Sequence, residues 1–455
     1  MKTHYRWMRS ILFAGAIALL LSCGGGGGGD STGSLGAIGS SSSSTGSGSS
    51  DGTGTGSTGT DGTGTAGGTA GSGGTDGTST AGNGSDDGSG VGSGGTGVST
   101  ADATGVGSVG GLGSIILNGV RYNTDTATTS LEDTTELQIG MSVRIAGKID
   151  SEFTAATAQQ VASAAELRGA VSAIDVAGGS FVVMGTTVTV DNATVWSNVS
   201  GLAQVAAGDV VQVWGLPSAP GSLRATRVEL KPASTEPLVT GFVQNLDPLS
   251  KSFKLGQLTV QYDNSTVFSG GIDQATLTEG AIVRVRGSAA PIAGLFSATK
   301  VQGWYAIPTQ NAVAVQLAGV VTNYNGIGDF KVLGTAINAS NAQIPVGQLA
   351  SIGNGVKVEV DGFMSNGILV AKKLRVRNIP GVGGPVDFTL IGAIGGYLSS
   401  SDFRVQGRQV DAARPGTIFE NGIIDDLANG RRVTVVGDTV EQGVLIAKRV
   451  TFTLP

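Results

Sequence analysis

One pattern recurs five times in the second part of this 455-residue chain, and it limits the folds that the chain can adopt. It reads apolar-x-x-Gly-x-x-Val-x-(Val or Ile)-x-Gly, with small variations. The copies are LQIGMSVRIAG, VAAGDVVQVWG, LTEGAIVRVRG, IGNGVKVEVDG and LANGRRVTVVG, and their first glycines are Gly140, Gly208, Gly280, Gly355 and Gly430. These glycines are 68, 72, 75 and 75 residues apart, which indicates tandem small domains, because solenoid repeats are shorter.

The residues inside each copy alternate between apolar and other side chains. In the first copy, Val143 and Ile145 flank Arg144. Alternation at a period of two predicts a half-buried antiparallel strand, apolar side inward and polar side toward solvent. The residues expected to point outward are Arg144, Gln212, Arg284, Glu359 and Thr434. The bounding glycines are expected to supply positive φ angles or tight bends between strands.

Two further patterns recur with each copy of the first one. An alternation of apolar residues precedes it, and Ala-x-x-(Val or Leu) follows it. The segment TAATAQQVASAAEL (154–167) has helical propensity, but the register predicts a strand in its first half. Each unit then has five or six short strands, and closure into a barrel removes the exposed edges. The predicted fold is all-β: a tandem array of five small barrel-like (OB-like) antiparallel β domains after a disordered Gly/Ser/Thr-rich linker.

The Gly-x-x-Val-x-Val-x-Gly strand and the Ala-x-x-Val that follows it resemble the bacterial domain of unknown function 5666 (DUF5666), often found in tandem in secreted or lipid-anchored proteins. The resemblance covers residues 105–455, and the first copy departs most from the pattern. It implies small all-β, barrel-like domains and carries over no catalytic residue. The predicted repeats span 105–167, 168–235, 236–310, 311–380 and 386–455.

The N-terminal segment, residues 1–23, has the pattern of an export signal. A basic start precedes an apolar run from Ile11 to Leu21, which is too short to span a bilayer comfortably. The sequence Leu-Leu-Ser-Cys that ends at Cys23 resembles the lipobox of bacterial lipoproteins, which implies that this cysteine is diacylated and becomes the new N-terminus. Gly24 is then compatible with sorting to the outer membrane. The alternative is an ordinary secretory signal that is cut elsewhere.

Residues 24–104 consist almost wholly of Gly, Ser, Thr and Asp, so they cannot bury a core and are expected to be a disordered linker. The aspartates are too irregularly spaced for calcium-binding nonapeptide repeats. Acidic and basic residues are nearly balanced after residue 104. We therefore expect no nucleic-acid partner, because that binding depends on neutralising phosphates with Lys and Arg.

The chain contains one histidine, His4, and one cysteine, Cys23, and both fall in the segment that is cleaved or acylated. His- and Cys-dependent catalysis, metal binding by these residues and thiol redox chemistry are therefore excluded from the mature chain. The sequence predicts no catalytic residue, no metal site, no cofactor and no enzyme. A carboxylate-dependent hydrolase of envelope or extracellular glycans stays open as an alternative.

A few residues are candidates for binding a ligand. A basic residue recurs two positions after the repeat alanine in four copies and forms a candidate cationic stripe, joined by one tryptophan: Arg227, Lys300, Lys373, Arg449 and Trp214. The alternative is a solvated or charge-guarded strand face. A second recurring element occurs as DNATVW (191–196) and DNSTVF (263–268). One interpretation is a sugar-binding carboxylate beside an aromatic ring. The simpler interpretation is a turn capped by the Asp side chain.

The combined prediction is a lipid-anchored protein of the bacterial cell envelope, at the outer membrane. It presents tandem β domains as a binding or structural module, whose expected partner besides the membrane is a polysaccharide or another envelope protein. Five sites on one chain would gain avidity. An inert spacer or adhesin stalk, which predicts an extended string of domains, is the other alternative.

Overall fold

Strands dominate because the apolar–polar alternation extends along nearly the whole repeat region. The structure is a computed structural model, and it describes residues 100–454. In that range the chain has thirty strands, three short 3-10 helices and no α-helix. The predicted signal, Cys23 and most of the predicted linker lie outside the described residues. No helix among residues 100–454 is long and apolar enough to cross a membrane.

The strands form five groups, here called barrels 1 to 5. Barrel 1 contains β1 (Thr100–Leu112), β2 (Ile115–Leu117), β3 (Val120–Asn123), β4 (Thr128–Leu131), β5 (Ser142–Asp150) and β6 (Ala155–Ser163). Barrel 2 contains β7 (Leu167–Asp175), β8 (Ser180–Val183), β9 (Thr186–Thr189), β10 (Val195–Ser197), the 3-10 helix η1 (Leu202–Gln204), β11 (Val210–Ala219) and β12 (Ser222–Lys231).

The last strand of barrel 3 is divided in two, and the fourth strand of barrel 4 is reduced to a single bridge between Gln343 and Lys373. Barrel 3 contains β13 (Leu238–Asp247), β14 (Ser252–Leu255), β15 (Leu258–Gln261), β16 (Val267–Ser269), β17 (Ile282–Arg286), β18 (Leu295–Ser297) and β19 (Lys300–Gly303). Barrel 4 contains β20 (Ala314–Gly326), β21 (Asp329–Val332), β22 (Thr335–Asn338), the 3-10 helix η2 (Leu349–Ser351), β23 (Lys357–Ser365) and β24 (Ile368–Asn378). Barrel 5 contains β25 (Phe388–Ser399), β26 (Asp402–Val405), β27 (Arg408–Asp411), β28 (Ile418–Glu420), the 3-10 helix η3 (Ile424–Asp426), β29 (Arg432–Glu441) and β30 (Val444–Phe452).

Each group closes on itself with the same strand pairing. In barrel 1, β1 pairs antiparallel with β2 and β5, β2 with β3, and β5 with β6, while β3 runs parallel to β6. The equivalent pairings close the other four barrels. A second parallel pair joins the short fourth strand of each barrel, or in barrel 4 the single bridge at Gln343, to the last strand. Apart from that extra strand, the arrangement is that of the five-stranded Greek-key OB-fold barrel. The predicted array of five barrel-like all-β domains is confirmed.

Two strands bear on the details of the prediction. The segment with helical propensity forms β6, so the repeat register gives the right structure there. Strand β1 begins at Thr100, which places residues 100–104 in barrel 1 instead of in the predicted linker. These residues pair with β5, from Thr100 opposite Asp150 to Thr104 opposite Ala146. Residues with small side chains can extend the β-ladder because its hydrogen-bonding N–H and C=O groups belong to the backbone.

The two glycines of the repeat have different roles. The first one has a positive φ in all five barrels, as predicted, and its N–H donates to the first strand of its barrel, as Gly140 does to Val109 O at 2.9 Å. The second lies at a β-bulge in four barrels, at Gly147, Gly215, Gly362 and Gly437. Its φ is not positive; instead a Cβ there would overlap a carbonyl oxygen of the facing strand.

The apolar positions of the repeat strands point into the barrels as predicted, and Val143 and Ile145 are buried. The polar positions correct the expectation of a solvated face. Gln212 and Arg284 are 1% and 0% exposed, and Arg144, Glu359 and Thr434 are half-buried. The alternation is real, but in barrels 2 and 3 the outward face of the strand is covered by a neighbouring barrel.

Backbone pairing also joins the barrels. Strand β1 runs parallel to β20 of barrel 4 over residues 103–106 and to β25 of barrel 5 at residues 111–112. Strands β7 and β13 join barrels 2 and 3 antiparallel. The barrels therefore share sheets, unlike the string of separate domains that the spacer alternative predicts.

A cluster of ion pairs lies between barrels 1, 2 and 3. Asp133, in the loop after β4, has a side chain only 4% exposed and contacts Arg168 and Arg284 at 2.5 Å and Arg286 at 2.8 Å. Neighbouring Glu132 contacts Arg284 at 2.8 Å. Two acidic residues of one loop thus hold basic residues from two other barrels.

Candidate binding groove

The residues predicted to bind a ligand do not form one surface. Trp214 is fully buried, and Arg227 is 3% exposed. The Arg227 guanidinium donates to Glu229 at 2.7 Å and to the Ile139 carbonyl of barrel 1 at 3.1 Å. These two residues hold barrels together, because the outward side of β11 and β12 faces barrel 1 and not solvent.

The other three basic residues lie near the surface, each beside acceptors of its own. Lys300 lies 3.9 Å from Glu132, Lys373 donates to the Glu152 carbonyl, and Arg449 lies 3.6 Å from Glu420. The repeat places them at equivalent positions of different barrels. For these three residues, the cationic stripe stays a prediction.

The DNATVW element has the geometry of a capped turn. The Asp191 carboxylate accepts the Ala193 N–H at 2.9 Å, and the Thr194 hydroxyl donates to the Ala225 carbonyl at 3.2 Å. In DNSTVF, Thr266 donates to the Ala298 carbonyl at 2.9 Å. The element thus fastens the loop before the fourth strand to the repeat alanine of the last strand. In barrel 2 it also forms a wall of a groove.

A groove of about 950 Å³ lies between barrels 2 and 5. Barrel 5 contributes Ser401 from the β25–β26 turn, Gln409 and Asp411 from β27, and Glu441 and Gln442 at the β29–β30 turn. The opposite wall, from barrel 2, consists of Asp191, Asn192, Thr194, Val195, Trp196 and Ser200. In OB folds, strands 2 and 3 and the loops 1–2 and 4–5 form the face that binds oligonucleotides and oligosaccharides. The groove lies on that face of barrel 5.

In barrels 1 and 2, the turn that corresponds to loop 4–5 of an OB fold contacts a neighbouring barrel. In barrel 1, the β5–β6 turn accepts Lys372 of barrel 4, whose ammonium lies 2.9 Å from the Ser151 carbonyl and 2.5 Å from Glu152. In barrel 2, Gly221 of the β11–β12 turn packs against Gly256 of barrel 3. Barrel 5, by contrast, leaves this face open to the groove.

The lining of the groove contains more acidic than basic residues, and basic side chains pair with three of its carboxylates. Arg414 bridges Asp411 and Glu441 at 2.9 Å each, and these hydrogen bonds raise the pKa of Arg414. Burial alone would raise the pKa of Asp438, but hydrogen bonds from Lys448 and Thr439 hold it below its ordinary value. The lining therefore presents carboxylate oxygens, which can accept hydrogen bonds from hydroxyl groups of a ligand.

Trp196 is the aromatic side chain that borders this polar lining from barrel 2, and it is half-buried. The other two tryptophans of the described chain, Trp214 and Trp304, are buried. A groove with fixed polar groups and one accessible indole offers a ligand both hydrogen bonding and ring stacking. Within residues 100–454 no group of three His, Cys, Asp or Glu side chains is arranged to hold a metal ion.

The sequence alone does not point to Asp411, Arg414 or Glu441. The available signal is that DAARPGT of the fifth copy replaces the DNAT and DNST of the second and third. Even so, nothing in the sequence brings the fifth copy next to the second. That proximity comes from the pairing of β1 with β25 and from the way the barrels pack.

Five closed barrels with one topology, joined through shared sheets, define a tandem-barrel β protein. The chain belongs to the family described as Domain of unknown function (DUF5666), which matches residues 105–161, 168–229, 240–302, 318–375 and 391–451. No curated protein matches the chain.

Proposed function

We propose that this chain is a lipid-anchored protein of the bacterial envelope that binds an oligosaccharide in the groove between barrels 2 and 5. The observation that carries the proposal is the position of the groove on the ligand face of an OB-type barrel, with a half-buried indole beside it. OB-type faces bind either oligonucleotides or oligosaccharides. The carboxylates of this lining repel phosphates and accept sugar hydroxyls, so the lining favours the sugar.

Binding is favoured over glycan hydrolysis by the state of the carboxyl groups. A glycosidase needs one carboxylic acid whose pKa is raised, close to a second carboxylate. Burial raises the pKa of Glu166 and of Asp361, and neither of these carboxyl groups lines the groove. The groove carboxylates Asp411 and Glu441 are engaged by Arg414.

The test of the groove uses Trp196 as a reporter. Purified full-length chain is titrated with envelope and extracellular oligosaccharides, and the indole fluorescence is recorded. We expect a saturable change with one neutral glycan class. Ser401→Arg, which fills the exposed rim of the groove without adding an indole, is expected to weaken binding at least about tenfold, equivalent to about 1.4 kcal/mol.

Ser172→Arg is the matched control, because Ser172 is an exposed residue of β7 that does not line the groove. It should bind the glycan as the unmodified chain does. Equal binding by the Ser401→Arg variant, or no fluorescence change with any glycan, would contradict the proposed site.

The anchor is tested separately. Acylation at Cys23 would hold the barrels to the membrane, since two or more acyl chains give stable anchoring. Cys23→Ala should therefore move the protein from the membrane fraction to the soluble envelope fraction, and Ser22→Ala should not. Retention of the Cys23→Ala protein in the membrane fraction would contradict the lipid anchor.

A further inference from the structure

A second, smaller cavity of about 350 Å³ lies at barrel 2. Its barrel 2 side is formed by Gly178 and Gly179 of the β7–β8 turn, Thr189 at the end of β9, and Arg224 of β12. The segment 380–383, which connects barrels 4 and 5, forms the other side together with Asn378. This face of barrel 2 corresponds to the ligand-binding face of OB folds. The segment 380–383 covers it and leaves only a small cavity.

Arg224 is a buried cation whose hydrogen bonds in this cavity are weak. Its side chain is 9% exposed. Its Nη1 lies 3.4 Å from Asp191 Oδ2 and 3.4 Å from Asn378 Oδ1, whereas charge-assisted bonds are usually 2.7–2.9 Å. Its Nε has no hydrogen-bond partner within the described chain. By comparison, Arg375 reaches Asp361 at 2.7 Å.

The local charges do not balance. Lys357, which is also buried, approaches the same Asp191 carboxylate, with Nζ 3.9 Å from Oδ2. Glu359, on the strand of Lys357, is engaged by Arg375 at 3.2 Å and by Arg377 at 2.7 Å. Asp175 is exposed and caps the Gly178 N–H at 2.8 Å. Arg224 and Lys357 therefore share one buried carboxylate, which leaves one positive charge in excess.

The glycines make room for a ligand. Gly178, Gly179, Gly381 and Gly383 line the cavity and carry no side chain into it. The Asn378 amide donates to Asn192 Oδ1 at 3.1 Å, which turns its oxygen toward Arg224. A small oxyanion entering beside Arg224 would meet a guanidinium whose geometry suits two oxygens of one group.

We propose that this cavity binds a small oxyanionic group, either a free sulfate or phosphate ion or the carboxylate of an acidic sugar. The ligand pairs with the guanidinium of Arg224 and links barrel 2 to the segment between barrels 4 and 5. The site is separate from the proposed oligosaccharide groove, although the two share one wall. Asp191 and Asn192 form a wall of both cavities.

The test measures the melting temperature of the full-length chain against sulfate, phosphate and glucuronate. Ionic strength is held constant with chloride, because sulfate and phosphate also stabilise proteins nonspecifically at high concentration. We expect a saturable rise of a few degrees at millimolar anion, as mass action predicts for a ligand of the folded state. Saturation by sulfate and phosphate identifies a free ion, and saturation by glucuronate alone identifies an acidic sugar.

The matched variants are Thr189→Glu and Thr189→Gln, which change a half-buried residue that lines the cavity without removing Arg224. The glutamate should abolish the saturable rise by repelling the anion, and the glutamine should keep most of it. The proposal is overturned if no anion gives a saturable rise, or if both variants respond equally. The readout is separate from Trp196 fluorescence with neutral glycans, so this site and the groove can fail independently.

Discussion

The guanidinium of Arg144 lies over the indole of Trp304, with its central carbon 3.6 Å from the ring centroid. Arg144 belongs to barrel 1, and Trp304 directly follows the last strand of barrel 3. The guanidinium carbon of Arg284 lies 4.9 Å from the same centroid. The indole N–H donates to buried Glu166 at 3.1 Å, and the Tyr305 hydroxyl donates to the same oxygen. Cation–π and hydrogen-bond contacts thus converge where barrels 1, 2 and 3 meet.

Replacing Trp304 by alanine should strongly destabilise the array. The substitution removes a buried ring, its hydrogen bond to Glu166 and its contact with Arg144. We expect a loss of about 3–5 kcal/mol in the free energy of unfolding. The measurement is urea unfolding, with Trp196→Ala as control because Trp196 is half-buried at the groove. Equal losses in the two variants would contradict the central role of Trp304.

The buried carboxyl group of Glu166 should make stability depend on pH. Burial raises its pKa above the ordinary value of 4.5, although Tyr305, Trp304, Arg284 and Thr240 lower it in part. Between the unfolded and the folded pKa, the folded chain holds a proton that the unfolded chain releases, so this group's contribution to stability falls as pH rises.

Glu166→Gln removes that contribution, and the difference in unfolding free energy between the two proteins isolates it. Other titrating groups largely cancel in the difference. Glu132 and Asp133 act with the opposite sign: burial would raise their pKa, but the arginines hold it low, so their contribution is lost as pH falls. Unfolding from about pH 4 to about pH 8 should show the unmodified chain losing stability relative to the variant as pH rises. A constant difference would contradict a buried, titrating Glu166.

The barrels themselves are predictable from sequence because their physics is local. Period-two alternation defines the inward residues, such as Val143 and Ile145, and the first repeat glycine adopts the positive φ that a turn requires. What covers an outward residue is not local. The alternation in the sequence predicts that Arg284 is a solvent-exposed strand residue. It is fully buried because Trp304, Glu132 and Asp133 lie against it.

The same reason explains why the candidate site residues differ from the sequence-based choice. Trp214 and Arg227 occupy outward positions, but barrel 1 covers them. The groove, by contrast, combines Trp196 with Asp411 and Glu441, which are more than 200 residues away along the chain. Alternation identifies which residues share a face, and only the packing of the barrels decides whether that face is buried, solvated or part of a groove.

Asp133→Asn should be among the most disruptive single substitutions on the surface between barrels 1, 2 and 3. Asp133 is nearly inaccessible and contacts Arg168, Arg284 and Arg286. Its loss leaves the buried Arg168 without a carboxylate partner and leaves Arg284 and Arg286 to share Glu132. Removing one partner of such a pair costs about 3–5 kcal/mol. The control is Asp102→Asn, which breaks an exposed pair with Lys148 and should cost at most about 1 kcal/mol. Thermal unfolding of both variants checks this, and similar melting temperatures would contradict it.

The second repeat glycine is required for space, and Gly437 in β29 provides a direct test. It lies at a β-bulge, where a Cβ would overlap the carbonyl oxygen of Ile446 on β30. Because that obstacle is backbone, it cannot rotate away, so Gly437→Ala should destabilise barrel 5 by roughly 1–3 kcal/mol. Gly395 in β25 is the matched control, since a Cβ there meets nothing within 4 Å and its φ is not positive. Gly395→Ala should be neutral or stabilising by about 0.4–1 kcal/mol, through the lower entropy of the unfolded chain. Chemical unfolding measures both, and a Gly437→Ala protein as stable as the Gly395→Ala protein would show that the bulge tolerates a side chain.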